Sequence, residues 1–400
     1  MGLEPFTQDD QIFRDEDVLR DNYRPDDLIE RDKELSEYQA ALKPVIKGAR
    51  PRNIFVYGQT GVGKSLATAM IMNRLLLDQE NYPDIDIEVV ELTCKSLTSS
   101  YQVTAHLVNQ FRSQDEQITP TGYTPGMIND MLWRHLNELE ATHCLIVLDE
   151  VDSIGKDDDI LYELPRCNDN GNVEDTKIGV VGISNDFTFR DNLSGRVKDS
   201  LCDEEIHFPP YDADQLSNIL MQRAEKAFTD GVLEDDVIPL SAAHAAQDSG
   251  SARQALKLLF KAGDLARERE APSVTEQHVR EAEKLIEEGK VKDELESLPT
   301  QSHLTLLAIL MLSKGDALPA KTRVVYEKYV ELAELADADV KTDRTIRDRL
   351  SQLTLKGFLG VEEQNDGIHG GSYHQYTLEV RTDIVEDALQ SQTRISEVFH

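Results

Sequence analysis

The 400-residue sequence has few cysteines and no long apolar run. Its four cysteines lie far apart and form no C-x-x-C pair, so a zinc or redox motif of that kind is not expected. The same pattern predicts a reducing compartment. No stretch approaches the roughly 20 apolar residues that a membrane-spanning helix needs. The first ten residues are polar and acidic, unlike a secretory signal. These absences predict a cytoplasmic chain with no membrane partner.

Basic residues are also scarce. The chain has 42 Lys and Arg against 75 Asp and Glu, a formal net charge of −33. Such an excess normally argues against nucleic-acid binding. The acids are dispersed, however, in short runs such as Asp157–Asp159 rather than in one tail. Dispersed acids are typical of adaptation to molar salt, where the screening length falls to about 3 Å. We therefore expect a halophile's protein, whose charge reflects the solvent rather than the partner.

Apolar runs alternate with helical periodicity up to Pro209–Pro210, which predicts an α/β domain with a parallel, helix-covered sheet over residues 1–210. The strands are expected at Ile54–Tyr57, Ile85–Leu92, Cys144–Leu148 and Lys177–Ser184. The intervening helices are expected at Asp32–Ile46, Lys64–Leu77, Tyr101–Phe111 and Thr124–Leu139.

Beyond the two prolines the pattern becomes helical, which predicts a separate helical domain over residues 211–292. Three further helices and two short strand-like runs follow, and they predict a winged-helix domain over residues 293–400. The two runs, Leu359–Glu362 and Tyr373–Val380, flank a glycine-rich wing.

The segment Gly58–Ser65 matches the pattern G-x-x-x-x-G-K-[ST] in full, between a predicted strand and a predicted helix. In this motif the backbone N–H groups wrap the phosphates of ATP or ADP, Lys64 reaches the β- and γ-phosphates, and the Ser65 hydroxyl ligates Mg²⁺. A chance glycine turn is the alternative. The residues expected to hold the nucleotide here are Gly58, Gly61, Val62, Gly63, Lys64, Ser65 and Leu66.

An apolar strand that ends in Asp149 and Glu150 predicts the second half of the site. Asp149 is expected to hold Mg²⁺, and Glu150 is expected to orient and polarise the attacking water. A core strand that merely ends in surface acids is the competing interpretation.

Three other residues have positions that suit phosphoryl transfer. Asn185 ends the strand expected beside Asp149, and its amide could touch the γ-phosphate or the water. Arg196 follows a polar loop and could serve as an arginine finger for a neighbouring subunit. Arg253 opens a helix of the second domain and could reach back to the phosphates. A turn asparagine and two solvated arginines remain the alternatives.

The central part of the winged-helix segment is only weakly acidic. Residues 300–380 carry nine basic and twelve acidic residues, so most of the negative charge lies elsewhere. The predicted recognition helix is basic, and it suits the major groove of DNA, while the wing could follow phosphates. A solvated helix in a protein-binding domain is the alternative. The candidate DNA contacts are Lys341, Arg344, Arg347, Arg349 and Lys356.

These motifs, in this order, resemble the AAA+ family, and within it the archaeal replication initiators of the origin-recognition-complex and cell-division-control type. The segments that carry the resemblance are Tyr57–Ser65, Leu148–Asp152, Gly182–Asn185, Arg196–Leu201 and Phe208–Ala213. The resemblance implies an AAA+ P-loop sheet, a helical lid and a winged helix in a haloarchaeal protein. It also implies that Tyr211, Arg223 and Pro25 contact the nucleotide.

The implied function is slow, switch-like ATP hydrolysis that controls the binding and deformation of origin DNA by a nucleoid-associated protein. The implied partners are double-stranded origin DNA, the replicative helicase, and paralogous initiators or further copies of the chain. Ser194-Gly195 stands where the family usually has proline before the arginine, so the role of Arg196 in trans is less secure. An AAA+ clamp-loader-like motor and a winged-helix ATPase that regulates transcription remain open as alternatives.

Overall fold

The computed structural model describes residues 10–119, 121–365 and 372–392. The chain divides into two compact units, Met1–Val279 and Arg280–His400. In the described residues, no helix combines the length and apolar character that crossing a membrane requires.

Within the described part of the N-terminal unit, five parallel strands form one sheet. They are β1 (Ile54–Tyr57), β2 (Ile87–Thr93), β3 (His143–Asp149), β4 (Lys177–Ser184) and β5 (Glu204–His207). Their order across the sheet is β2-β3-β4-β1-β5, so β4 lies between β3 and β1. The inner strands are continuously apolar because helices cover both faces. The carboxyl ends of β1, β3 and β4 therefore meet at one edge.

The helices of this unit pack their apolar faces on the sheet, with fully buried Leu107, Leu132 and Leu136 in the shared core. They are α1 (Asp32–Ile46), α2 (Lys64–Gln79), α3 (Ser100–Gln110), α4 (Pro125–Asn137), α5 (Asp159–Glu163), α6 (Phe189–Asn192) and α7 (Gly195–Leu201). Side-chain caps explain where two of them begin, since Ser99 and Thr124 each accept a hydrogen bond from the backbone of the first turn.

Helices alone follow β5 in this unit. They are α8 (Ala213–Ala227), α9 (Val237–Asp248) and α10 (Ala252–Glu268), which we call the lid, and α11 (Glu276–Glu296), which begins in this unit and continues into the C-terminal unit. Asp212 and Gln215 form a capping box that fixes the start of α8 directly after Pro209–Pro210. Ser251 caps α10, which begins beside the glycine loop.

The C-terminal unit has a winged-helix arrangement, as predicted. Its elements are α12 (Thr300–Lys314), β6 (Ala320–Lys321), α13 (Thr322–Leu335), α14 (Asp343–Leu355), β7 (Leu359–Asn365), β8 (Ser372–Leu378) and α15 (Thr382–Gln390). Nine consecutive residues of α12, Ser302–Leu310, are buried, so this helix forms the centre of the unit. The strands form an antiparallel sheet in the order β6-β8-β7. The glycine-rich tip of the predicted wing, residues 366–371, lies outside the described residues.

Candidate nucleotide-binding site

The loop between β1 and α2 contains three glycines whose φ angles are positive. Gly58, Gly61 and Gly63 have φ angles of 152°, 82° and 96°, which side-chain-bearing residues rarely adopt. A Cβ on Gly58 would collide with the carbonyl oxygen of Phe208, and one on Gly61 would collide with Ser251 at the start of α10. The loop therefore packs closely against the connector to the lid and against the lid itself. A loop of this kind at a helix N-terminus is a cradle for phosphate.

Lys64 is aimed into the glycine loop. Its side chain is buried, with 4% of the residue exposed. The ammonium donates hydrogen bonds to the carbonyl oxygens of Gly58 (2.8 Å) and Gln59 (2.7 Å) and to Oδ1 of Asn185 (2.8 Å). Burial lowers the pKa of Lys64 to about 8, although Asp149 and nearby acids favour the charged form. All three N–H groups thus have acceptors within the loop and the neighbouring strand end.

The acidic end of β3 and Lys64, which follows β1, lie on either side of β4. Asp149 is the last residue of β3, and its Oδ1 accepts from the backbone N–H of Glu150 (2.8 Å). Glu150 has a left-handed backbone, with φ at 56°. Asn185 follows β4 and donates its backbone N–H to Oδ1 of Asp152 (2.9 Å). Sequence reasoning assigned no role to Asp152, yet it fixes the asparagine that accepts from Lys64.

A cleft of about 410 Å³ opens between the glycine loop, the segment before α1 and the lid. Its volume lies within the usual range of small-molecule sites. Most of the predicted nucleotide residues line it: Pro25, Gly61, Gly63, Lys64, Ser65, Leu66, Glu150, Asn185, Tyr211, Arg223 and Arg253. Four of the predicted site residues are not among the described residues that line the cleft: Gly58, Val62, Asp149 and Arg196.

The two lid arginines that line the cleft differ in how they are held. Arg223 on α8 is buried, its guanidinium lies 4.4 Å from the ring centroid of Tyr23, and it donates to the carbonyl oxygen of Val18 (3.3 Å). Burial lowers the pKa of Arg223. Arg253 on α10 is half exposed, and its Nε lies 3.5 Å from Oδ1 of Asp21. Arg223 is therefore enclosed by its partners, whereas Arg253 is held by one exposed ion pair.

A third arginine, Arg31, was not among the predicted site residues. It is 1% exposed, although no feature of the sequence marks it as buried. Its Nε donates to the carbonyl oxygen of Val62 (3.1 Å), and a terminal nitrogen donates to that of Pro209 (2.6 Å). The guanidinium also lies 3.3 Å from a carboxylate oxygen of Glu34 and 3.6 Å from the ring centroid of Tyr211. Only the folded chain brings these partners together.

Arg196 lies on α7, apart from the cleft of its own chain. Its guanidinium pairs with Asp159 and lies 5.1 Å from the ring centroid of Tyr162. About half of its side chain is exposed. The structure therefore places Arg196 at the surface of the N-terminal unit.

In the C-terminal unit, the candidate DNA residues lie on or next to α14: Lys341, Arg344, Arg347, Arg349 and Lys356. Arg347 pairs with Asp343 one turn away (2.7 Å), and Arg349 donates to Gln352 (2.7 Å). Arg344 is exposed and forms no ion pair with any of the described residues. Arg347 and Arg349 thus each contact a partner on the same helix.

Comparison with protein families matches three consecutive parts of the chain. An AAA domain matches residues 48–186, a Cdc6 AAA+ ATPase-type lid domain matches residues 217–284, and a CDC6 C-terminal winged-helix domain matches residues 293–388. The first two matches together contain the glycine loop, the acidic strand end and both lid arginines. Nucleotide binding and ATPase activity are the properties of this domain family.

Relatives match over the full length. ORC1-type DNA replication protein 1 of Haloarcula marismortui is 62% identical, with 100% of this chain and 97% of the relative covered. ORC1-type DNA replication protein 11 of the same organism is 47% identical, with 98% and 93% covered. The solved structure of the Aeropyrum pernix ORC1 protein in complex with DNA is similar at a TM-score of 0.81 and 33% identity, with 98% and 100% covered. The chain belongs to the Cdc6/ORC1-type family of AAA+ DNA replication initiators with a C-terminal winged-helix domain.

Proposed function

We propose that this chain is an ATP-dependent initiator that binds origin duplex DNA, deforms it and helps to recruit or load the replicative helicase. One observation carries the nucleotide half of the proposal. The glycine loop, the acidic strand end and the lid all line one cleft. A ligand in that cleft touches both the sheet and the lid, so its phosphate state can set the position of the lid.

In this cleft we assign ATP to the glycine loop, with its phosphates on the backbone N–H groups and Lys64. The lining fits a phosphate chain, because Gly61, Gly63, Lys64 and Ser65 all border the cleft. Ser65 and Asp149 are the residues that would hold Mg²⁺, which neutralises phosphate charge when bound. Glu150 orients and polarises the attacking water, and Asn185 holds Lys64 in place.

Hydrolysis is slow and switch-like in this proposal, since a switch needs a lasting ATP state. Pro25, Tyr211 and Arg223 contact the nucleotide from the base side, and Arg253 reaches the phosphates from the lid. Arg196 lies at the surface of its own chain, which suits a role on the nucleotide of a neighbouring subunit.

The DNA half of the proposal rests on α14 and on the similar Aeropyrum protein, whose structure contains DNA. An exposed basic helix of 13 residues fits the major groove. Because molar salt removes most of the gain from counterion release, base-edge contacts and DNA deformation carry more of the affinity here than phosphate contacts do.

The remaining assignments are part of the same proposal. We divide the chain into an α/β domain over residues 1–210, a lid domain over 211–292 and a winged-helix domain over 293–400.

Haloarcula marismortui has more than one similar protein, which supports paralogous initiators as partners of this chain, beside self-association on DNA. The replicative helicase is the further partner, and the protein works at the nucleoid.

DNase footprinting of the purified protein in high-salt buffer tests the proposal. Protection of the organism's replication origins is expected, with weaker protection by Arg344→Ala and unchanged protection by Lys328→Ala, a half-buried control on α13 that pairs with Glu331. Lys64→Ala should lose ATP binding and any effect of ATP on the footprint. Protection of promoters instead of origins would make the chain a transcription regulator, and the absence of duplex binding would favour a clamp-loader-like motor.

A further inference from the structure

We propose that Arg31 is a positioning residue that clamps the glycine loop to the connector of the lid and thereby sets the nucleotide affinity of the cleft. The inference rests on the proposed binding of ATP in that cleft. Arg31 itself does not line the cleft among the described residues, so it acts through the groups that it holds.

The burial of Arg31 requires an explanation. Arginine is almost never fully buried unless its charge is paired and its N–H groups have acceptors. Arg31 stands at the N-terminal boundary of α1, with 1% of its surface exposed. Its ion pair with Glu34 offsets the charge, but that contact lies within one turn of the same helix. The other two contacts reach outside the helix, and neither is needed to neutralise the charge.

Those two contacts join segments that are far apart in sequence. The carbonyl oxygen of Val62 belongs to the glycine loop, directly before Gly63, and that of Pro209 belongs to the connector between β5 and α8. A guanidinium is planar and its N–H groups point in fixed directions, so it holds two carbonyl oxygens at a fixed separation. The loop that wraps the phosphates and the segment that carries the lid are thereby tied to one rigid group.

The same guanidinium supports a wall of the cleft. Its carbon lies 3.6 Å from the ring centroid of Tyr211, a contact distance at which a cation and an aromatic ring attract. Tyr211 is fixed on its other side by its backbone N–H, which donates to the carbonyl oxygen of Gly250 (2.9 Å). Its hydroxyl lies so close to Gly63 that an added Cβ there would be 3.2 Å away. Arg31 therefore positions both the backbone of the loop and the ring that borders it.

The substitution Arg31→Lys tests whether the positive charge of residue 31 is sufficient or the planar geometry of the guanidinium is needed. Arg31→Lys keeps a cation for Glu34, but a single ammonium cannot bridge both carbonyl oxygens and also stack flat on the ring of Tyr211. We expect Arg31→Lys to weaken the binding of ATP and of ADP by about tenfold each, the effect of losing one hydrogen bond from a charged donor. The two nucleotides should be affected equally, because Arg31 holds the backbone of the glycine loop, which wraps phosphates that ADP and ATP have in common.

The test uses the full chain in high-salt buffer, with ATP and ADP titrated by calorimetry and the melting temperature measured without nucleotide. The variants are Arg31→Lys, Tyr211→Leu and the double variant, with Arg74→Lys on the exposed face of α2 as the matched control. Weaker binding is expected in both single variants, and the double variant should lose less than the sum of the two single losses, because Arg31 acts partly through Tyr211. The control should bind as the wild type does.

A lower melting temperature with unchanged nucleotide affinity in Arg31→Lys would overturn the inference, since Arg31 would then be merely structural. Additive losses in the double variant would overturn it too. Should Arg31→Lys not fold, Glu34→Gln decides the question, because it removes the charge of the ion pair and leaves the bridge from Arg31 to Val62 and Pro209 in place. The melting temperature should then fall while nucleotide affinity stays unchanged, and a loss of affinity would overturn the inference. A wild-type chain that binds no nucleotide would instead refute the proposed function.

Discussion

In the N-terminal unit two basic side chains at the glycine loop are buried and donate to backbone carbonyls. In the C-terminal unit two basic side chains of α14, Arg347 and Arg349, contact neighbours on their own helix instead. Lys64 and Arg31 represent the first kind, and Arg347, whose side chain is 64% exposed, the second. A buried cation must have fixed partners, because an unpaired charge away from water is costly. The difference teaches that the cleft is preorganised, whereas the arginines of α14 are held by weaker contacts within one helix.

The largest expected effect tests whether the preorganised cleft performs chemistry. Glu150→Gln removes the carboxylate that polarises the attacking water, so hydrolysis should fall by about 10²–10⁴-fold while ATP binding is retained. The rate is measured by phosphate release and the affinity by calorimetry. Glu88→Gln, an exposed position on β2, is the control. Equal hydrolysis by Glu150→Gln and wild type would remove Glu150 from the mechanism.

The buried ion pair should respond strongly to truncation. Arg31→Ala leaves Glu34 charged and unpaired in the interior, so the free energy of unfolding of the N-terminal unit should fall by about 3–5 kcal/mol. Chemical denaturation followed by circular dichroism measures the change. Because buried pairs are screened little, the loss should persist at molar salt. A loss that vanishes with added salt would mean that the pair behaves as a surface contact.

The pKa of Lys64 predicts how the cleft depends on pH. Burial lowers this pKa to about 8, so the free protein loses the ammonium proton as the pH rises through that value. Phosphate binding needs the charged form, and ATP affinity should therefore be constant below about pH 8 and fall by up to tenfold per pH unit above it. The stability contribution of Lys64 has the opposite trend: the penalty for burying the ammonium is present below about pH 8 and is released as the pH rises towards 10.5.

Calorimetric titration with ATP from pH 7 to pH 9.5 measures this dependence. Lys64→Arg is the informative companion variant, since arginine stays protonated over the whole range and should show no such slope. A flat profile in the wild type would show that the ammonium keeps its proton above pH 8.

The smallest effect is expected on α14. Arg347→Ala breaks an exposed pair with Asp343, one turn away, and should change the free energy of unfolding of the C-terminal unit by less than about 0.5 kcal/mol. Denaturant titration at low and at molar salt measures it. A loss as large as that of Arg31→Ala would erase the contrast between the units.

The sequence predicted those elements whose apolar pattern is strong. The helix Asp32–Ile46 and the strands Ile54–Tyr57 and Lys177–Ser184 have the predicted bounds. The strand Glu204–His207 was missed, because it is short, begins with two acids and lies at the sheet edge, so it shows no apolar run. The helix Thr382–Gln390 was not predicted either, because the predicted winged-helix domain ends with the hairpin.

The residues of the candidate site also divide into those that the sequence predicted and those that it did not. Residues within a contiguous motif, such as Lys64 and Glu150, were predicted from local spacing, and the structure places them in one cleft. Arg31 and Asp152 were not assigned a role, because each acts on residues distant in sequence. An arginine in an acidic chain suggests a solvated side chain, and only the close approach of Val62 and Pro209 shows otherwise.

Glu150 occupies backbone angles that favour glycine, with φ at 56°. A side chain in this region costs free energy, and such strain is tolerated where the side chain has a task. Selection for robustness alone would place glycine there, which adopts the same angles without a Cβ clash. In the proposed mechanism the protein thus keeps a slightly less stable turn in exchange for a carboxylate at the wall of the cleft, so stability and turnover are balanced at a single residue.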